Sequence, residues 1–264
     1  MIISMNVKAV VKVMNFHALL RVDASRKRAE KLLDMEEELD SMMRIVLGNR
    51  NLRLDKRVRL PDASLPPLRI YLGSDFGFCG GVNATVSSVL RQDANSEKIV
   101  VGKKIRRSGE VSLFLTQEQY EQEFGRVKEY LVRAVKERPW SAVELVYNHY
   151  YNMSSIQQVE RRIYPMEQPP EKEGEPWADF MIEGDVDSLI SDMTVSYLVY
   201  ELKIAAASAY AAENIMRQNA TSESLKKLDE REEEETRQKR KAKNALSFQK
   251  TIDSYVKQKA LRKV

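Results

Sequence analysis

Residues Leu68–Gln92 read LRIYLGSDFGFCGGVNATVSSVLRQ, and this stretch sets the architecture of the chain's middle. A largely apolar, β-prone run closed by Gly73 predicts a strand over Leu68–Asp75. The glycine-rich GFCGG follows as a turn, and VNATVSSVLRQ leads from it into a helix. EKIVVGKK (Glu97–Lys104) reads as the next strand. Thr116 with Gln119 three residues on forms a capping box. It predicts a helix running through Glu137, with Tyr120, Phe124, Val127, Leu131 and Ala134 on one face. Ser141–Tyr151 and Ser155–Tyr164 read as two more strands, and ADFMIEG (178–184) as another. Pro165–Pro176 holds four of the eight prolines and reads as an exposed loop. Alternating strands and helices predict an α/β domain with a partly parallel sheet over residues 61–184.

Outward from this domain the composition changes. All ten glycines and eight prolines lie between Gly48 and Gly184, leaving both flanks free of the residues that stop helices. A long helix is therefore expected within 1–60 and a longer one over 185–264. In the first flank Val11, Asn15, Ala18, Val22, Ser25, Ala29, Leu32, Glu36, Leu39, Met43 and Val46 are spaced by alternating steps of 4 and 3. That is the seam of a left-handed coiled coil. One step further back the seam would fall on Lys8, so the regular pattern starts at Val11. In the last flank Leu198, Leu202, Ala205, Ala209, Ala212 and Met216 repeat the pattern, and it resumes at Ala245, Phe248, Ile252 and Tyr255. If helical throughout, the two flanks would measure about 70 and 120 Å, so the longer one asks for a partner in a larger assembly. Between its two seams, Lys226–Lys243 is almost entirely charged. It reads as a solvated helix face or as a surface pressed by charged partners.

Composition removes several classes of function. With 264 residues the chain has room for one or two domains. Its 43 Lys and Arg against 39 Asp and Glu give a net charge of +4, too mild to argue for nucleic acid. One cysteine, Cys79, excludes an internal disulfide framework, and His17 and His149 alone beside it make no zinc site. The N-terminus is interrupted by Asn6, Lys8 and Lys12, and no apolar stretch is long enough to cross a bilayer. The expectation is a protein neither secreted nor membrane-spanning.

A strand, a glycine loop and a helix in succession are the setting of a phosphate-binding turn, so the glycine spacing decides the chemistry. Gly77, Gly80 and Gly81 are spaced as GxxGG rather than GxGxxG, and Gly102-Lys103 is followed by Lys104 rather than Ser or Thr. Neither a dinucleotide fingerprint nor a Walker A loop is present. Cys79 at a helix start suits a small residue packed under a turn better than a nucleophile. His17 has no acid–base partner on its helix, and the eleven methionines suit adaptable helix interfaces. No catalytic, cofactor-binding or metal-binding residue is assigned. Physical reading alone ends at a coiled coil carrying a small α/β domain, read as a subunit.

At this point the sequence resembles the gamma subunit of F-type ATP synthases. GFCGGVN (Gly77–Asn83) is similar to that family's G-L-C-G-G-L-N. Val13, Asn15 and Leu19 fall on its I-x-N-x-x-K-I-T-x-A-M run, with Leu20, Val22 and Asp23 at the Thr, Ala and Met positions. Ala207, Ser208 and Asn219-Ala220-Thr221 match A-S-E…N-A-T, while Ala209 replaces the Glu, and Glu213 and Asn214 replace an Arg-Met pair. Gln249 and Ile252 resemble the Gln and Ile of N-x-x-R-Q-x-x-I-T, with Phe248 for Arg and Asp253 for Thr.

The resemblance implies a long antiparallel two-helix coiled coil carrying a central Rossmann-like α/β domain, the rotor shaft of a divergent family member. It implies no cofactor. Implied partners are the catalytic and non-catalytic subunits of the ATPase ring, an epsilon-like subunit and a membrane rotor ring. Nucleic acid is not among them, and membrane contact is through partners only. The implied location is peripheral, on the cytoplasmic face of the cell membrane. Phe248, Gln249, Ile252 and Asp253 are implied to meet the catalytic ring, with Asn15 and Leu19 on the paired helix just below and Glu201–Ser208 toward the foot. Gly77, Cys79, Gly80, Gly81 and Asn83 are assigned to the turn's structure. Two rivals stay open: a gamma-like shaft of an ATPase that does not make ATP, and a coiled-coil scaffold whose α/β domain binds a small ligand.

Overall fold

A computed structural model describes residues 2–48, 61–166 and 185–261. Its elements are α1 (Ile2–Gly48), β1 (Leu68–Leu72), α2 (Val82–Gln92), β2 (Glu97–Val101), β3 (Leu113–Leu115), α3 (Gln117–Gln122), α4 (Phe124–Lys136), β4 (Val143–Asn152), β5 (Ser155–Tyr164) and α5 (Val186–Leu261). The chain forms two compact units, Phe16–Ala220 and the pair Met1–Asn15 with Thr221–Val264. The boundaries expected near residues 60 and 184, and the strand expected at 178–184, fall outside the described residues.

In the larger unit the five strands lie in the order β3-β2-β1-β4-β5. The β1 strand pairs in parallel with β2 and β4, and β2 with β3, while β5 returns antiparallel to β4. Side chains alternate across the sheet, so each strand supplies two cores. Leu68, Ile70, Leu72, Ile99, Val101, Leu115 and Leu145 pack on one face against Val127, Leu131 and Ala134 of α4 and Leu198, Leu202 and Ala205 of α5. Tyr71, Val100 and Val146 pack on the other against Val86 and Leu90 of α2. A sheet covered on both sides explains why β1 and β2 read as nearly continuous apolar runs.

One local reading is refined, and one strand is added. The short strand β3 has only three residues, too few to show a period. The helix expected from Gln117 through Glu137 is interrupted at Glu123, whose φ of −108° and ψ of 28° are not helical. The capping box at Thr116 and Gln119 is formed in both directions.

The outer half of the β4–β5 hairpin extends past β1, and its Tyr150 and Ile156 pack on Val22 and Ala29 of α1 and Ala211, Ala212 and Ile215 of α5. In this unit Ser25 meets Asn214 while Leu39 lies with Met193 and Tyr197, so α1 and α5 run antiparallel. In the smaller unit Lys8 bonds Asp229 and Glu232 while Asn15 bonds Thr221 and Ser222, the same sense. The expected seam is the buried stripe: Val11, Ala18, Val22, Ser25 and Ala29 are buried, with Asn15, Leu32 and Leu39 half-buried. The side chains of Glu36, Met43 and Val46 lie outside the described set.

Candidate functional site

The glycine turn is held by its polar side chains. Asn83 Oδ1 accepts from Ser74 N at 2.8 Å, and its amide donates to Phe76 O at 3.4 Å and Cys79 Sγ at 3.2 Å. Ser74 Oγ accepts from Phe76 N at 3.0 Å. Of the three glycines in this turn, Gly80 has the strictest need: its φ is +59°, and a Cβ there would lie 2.7 Å from Met216 Cε of α5. At Gly77 and Gly81 a Cβ would meet nothing within 4 Å. Cys79 is buried, and burial, then the nearby Glu213 carboxylate, pushes its thiol pKa up. A raised pKa disfavours the thiolate that a nucleophile needs. Phe76 and Phe78 stand exposed beside it.

The face of α5 against this turn carries an ion pair that sequence reasoning did not single out as a site. Arg217 Nη2 lies 2.5 Å from Glu213 Oε1, with both side chains at least nine-tenths buried. Arg217 also donates from Nε to Gly77 O at 3.3 Å and from Nη2 to Ser74 Oγ at 3.4 Å. Glu213 Oε2 accepts from Gln117 Nε2 at 2.7 Å, and that amide also donates to Gly73 O at 3.1 Å. Asn214 donates to Ser25 of α1 at 3.2 Å. The i, i+4 spacing of Glu213 and Arg217 was the available signal. Gln117, some hundred positions earlier, gave none.

The expected partner-contact residues separate into two groups. Asn15 is used inside the chain, donating to Thr221 Oγ1 at 3.1 Å and Ser222 Oγ at 2.7 Å. Leu19, Phe248, Gln249, Ile252 and Asp253 are exposed. Every side chain from Glu233 to Tyr255 on α5 is exposed, so Ala245, Phe248, Ile252 and Tyr255 form an apolar stripe at steps of 3 and 4. His17 is also exposed. Where the seam reaches Lys8, its ammonium binds Asp229 at 2.6 Å and Glu232 at 2.5 Å, so pairing continues past Val11 through ions.

Among the described residues no group of three His, Cys, Asp or Glu is placed to hold a metal. No described helix is long and apolar enough to cross a membrane. A cleft of about 400 Å³ between α4 and α5 is lined by Lys128, Lys136, Asp192, Ser196, Tyr200 and Lys203, and the Ser196 hydroxyl donates to the Asp192 carbonyl at 2.8 Å.

The sequence model of a family described as ATP synthase matches residues 4–246. The chain is similar to the ATP synthase gamma chain of Clostridium perfringens, 26% identical over 238 residues, covering 85% of this chain and 83% of the relative. It is 23% identical over 174 residues to that of Desulforamulus reducens, covering 61% of each. Among solved structures, it is similar to a chain of the Tetrahymena thermophila mitochondrial ATP synthase central stalk and c-ring, with a TM-score of 0.58, 16% identity, and coverage of 81% of this chain and 99% of that one. A second likeness is to a chain of the Euglena gracilis mitochondrial ATP synthase in rotational state 3, with a TM-score of 0.52, 13% identity, and coverage of 95% and 96%. At these identities the structural likeness speaks to fold.

Proposed function

Because this chain belongs to the gamma-subunit family of ATP synthases, we propose that it turns as a non-catalytic shaft inside a ring of catalytic and non-catalytic ATPase subunits. The observation that carries this reading is the far part of α5, where an apolar stripe from Ala245 to Tyr255 is left uncovered among the described residues. An amphipathic helix with its apolar face in water asks for a partner, and a ring that encloses the helix supplies one. Phe248 and Ile252 then serve as apolar bearings, with Gln249 and Asp253 making polar contacts beside them. Leu19 presents an apolar contact on α1, whereas the amide of Asn15 acts within the helix pair.

The mechanism is differential contact. A rotating asymmetric surface touches each ring subunit differently, and each contact favours one nucleotide state over another. Ion flow that turns the shaft thus drives the catalytic sites through their states in sequence. The other proposed partners are an epsilon-like subunit and the membrane rotor ring, placing the chain peripherally on the cytoplasmic face. Membrane contact is made through those partners. Gly77, Cys79, Gly80, Gly81 and Asn83 serve the turn's structure rather than binding.

The test is assembly. The full chain, co-expressed with the ring subunits of its own source, should co-purify with them, and removal of residues after Asn244 should weaken coupling of hydrolysis to rotation. Normal assembly and coupling by the truncated chain would overturn this reading in favour of a scaffold. A complex that hydrolyses ATP yet makes none under an ion gradient would favour the ATPase variant.

A further inference from the structure

We infer that Glu213 and Arg217 are positioning residues whose buried ion pair fixes the rotational phase of the sheet against helix α5. The inference rests on the rotor reading, and it concerns how torque passes between the sheet and that helix.

The geometry carries it. The pair bonds residues at the carboxyl ends of β1 and β3, two of the four parallel strands. Arg217 binds Ser74 and Gly77, which follow β1. Glu213 binds Gln117, the first residue after β3 and its cap. Gln117 in turn is tied through Asp75, which accepts from Gln117 N at 3.0 Å and from Lys103 N at 2.8 Å, just past the end of β2. On the helix side, Asn214 links the same turn of α5 to Ser25 of α1 and accepts from Arg217 Nη1 at 3.4 Å. One turn of α5 therefore bonds two strand ends and the partner helix, and is linked to a third strand end through Gln117 and Asp75.

Apolar contacts between the sheet and α5 are non-directional, so they resist separation more than sliding. Hydrogen bonds weaken steeply as they bend, and those to charged groups are the stronger ones. Rotation of the sheet about the α5 axis would shear the Arg217 and Glu213 bonds at the strand ends, along with the Tyr150 N to Ser208 Oγ bond and the Arg161–Glu201 pair farther along the helix. A buried ion pair contributes little net stability beside an apolar pair of similar volume. Its effect here is to select one arrangement. The sequence marks the place too, since Glu213 and Asn214 stand where the family pattern has Arg and Met.

The experiment separates positioning from stability. The double variant Glu213→Met with Arg217→Met removes both charges together and leaves neither stranded. Arg217→Lys keeps the charge but loses the fork that spans Glu213, Ser74 and Gly77. Each is assembled into the complete complex in vesicles. Ion-driven ATP synthesis, ATP hydrolysis and thermal unfolding of the chain are then measured. The double variant should unfold within a few degrees of wild type and hydrolyse ATP within two-fold. Its synthesis-to-hydrolysis ratio should fall about five-fold or more, and that of Arg217→Lys about two-fold. An unchanged ratio in whichever variant folds would overturn the inference. So would a fall in synthesis that merely tracks a fall in hydrolysis and melting temperature. Failure of the wild-type chain to assemble with the ring would instead overturn the rotor reading itself.

Discussion

Gly80 and Cys79 are neighbours with opposite tolerances. A valine at Gly80 would have to adopt a φ of +59° and place its Cβ 2.7 Å from Met216 Cε. Left-handed strain costs about 1–3 kcal/mol, whereas the Met216 methyl, at the end of a flexible side chain, can move aside at little cost. Gly80→Val should therefore lower the yield of folded chain, with urea unfolding showing a loss of about 1–3 kcal/mol. Cys79→Ala should leave activity of the assembled complex within a few-fold, because the thiol serves only the packing and hydrogen bonding of the turn. The raised thiol pKa adds a check: maleimide labelling of Cys79 at neutral pH should be slow in the native chain and fast in denaturant. Rapid native labelling would contradict the buried placement. Lys8 sets a pH dependence whose sign follows from its partners. Hydrogen bonds to Asp229 and Glu232 raise the Lys8 pKa above 10.5, and the Lys8 bond lowers that of Asp229 below 3.8. The lysine contribution is complete below 10.5 and lost as pH rises through the folded value; the aspartate contribution is present above 3.8 and lost as pH falls through its folded value. Across neutral pH the melting temperature should therefore carry this pair's full contribution with no pH dependence, and Lys8→Met should flatten the alkaline limb.

At the scale of elements, α5 behaves as two helices in one. Leu202 is fully buried in the sheet's core, whereas Leu246 is 62% exposed. Leu202→Ala should cost the chain about 2–5 kcal/mol, while Leu246→Ala should leave its unfolding unchanged. Equal effects would mean that the far part of α5 is packed in the free chain. The periods that built these elements were readable in sequence. The 4–3 steps located the buried stripe of α1, and the strand–glycine–helix run located β1, α2 and the turn between them. What escaped was set by tertiary contact. Three residues of β3 cannot show a period, and the interruption at Glu123 follows no Gly or Pro. The regular apolar seam starts at Val11, and beyond it the helices still pair at Lys8, whose ammonium finds two carboxylates. The Glu213–Arg217–Gln117 cluster was only half legible, since its third member comes from a distant segment that folding brings near.

For the whole molecule, helices of 47, 11, 6, 13 and 76 residues make up more than half of the chain. Circular dichroism of the isolated protein should show a helical content above one half; a value near one third would contradict the long flanking helices. The charged run before the tip gives a second test. Reversing Arg237, Lys239, Arg240 and Lys241 to Glu should weaken assembly with the ring, and added salt should reproduce part of that loss in the wild type. The central claim, that this chain turns while the ring holds still, is tested most directly by watching it turn. In a Cys79→Ala background, Lys103→Cys offers an exposed attachment point on the α/β domain for a bead or gold rod, with the ring fixed to a surface. ATP should drive continuous rotation of the probe in one direction. A stable complex that hydrolyses ATP while the probe only fluctuates about one angle would contradict the account.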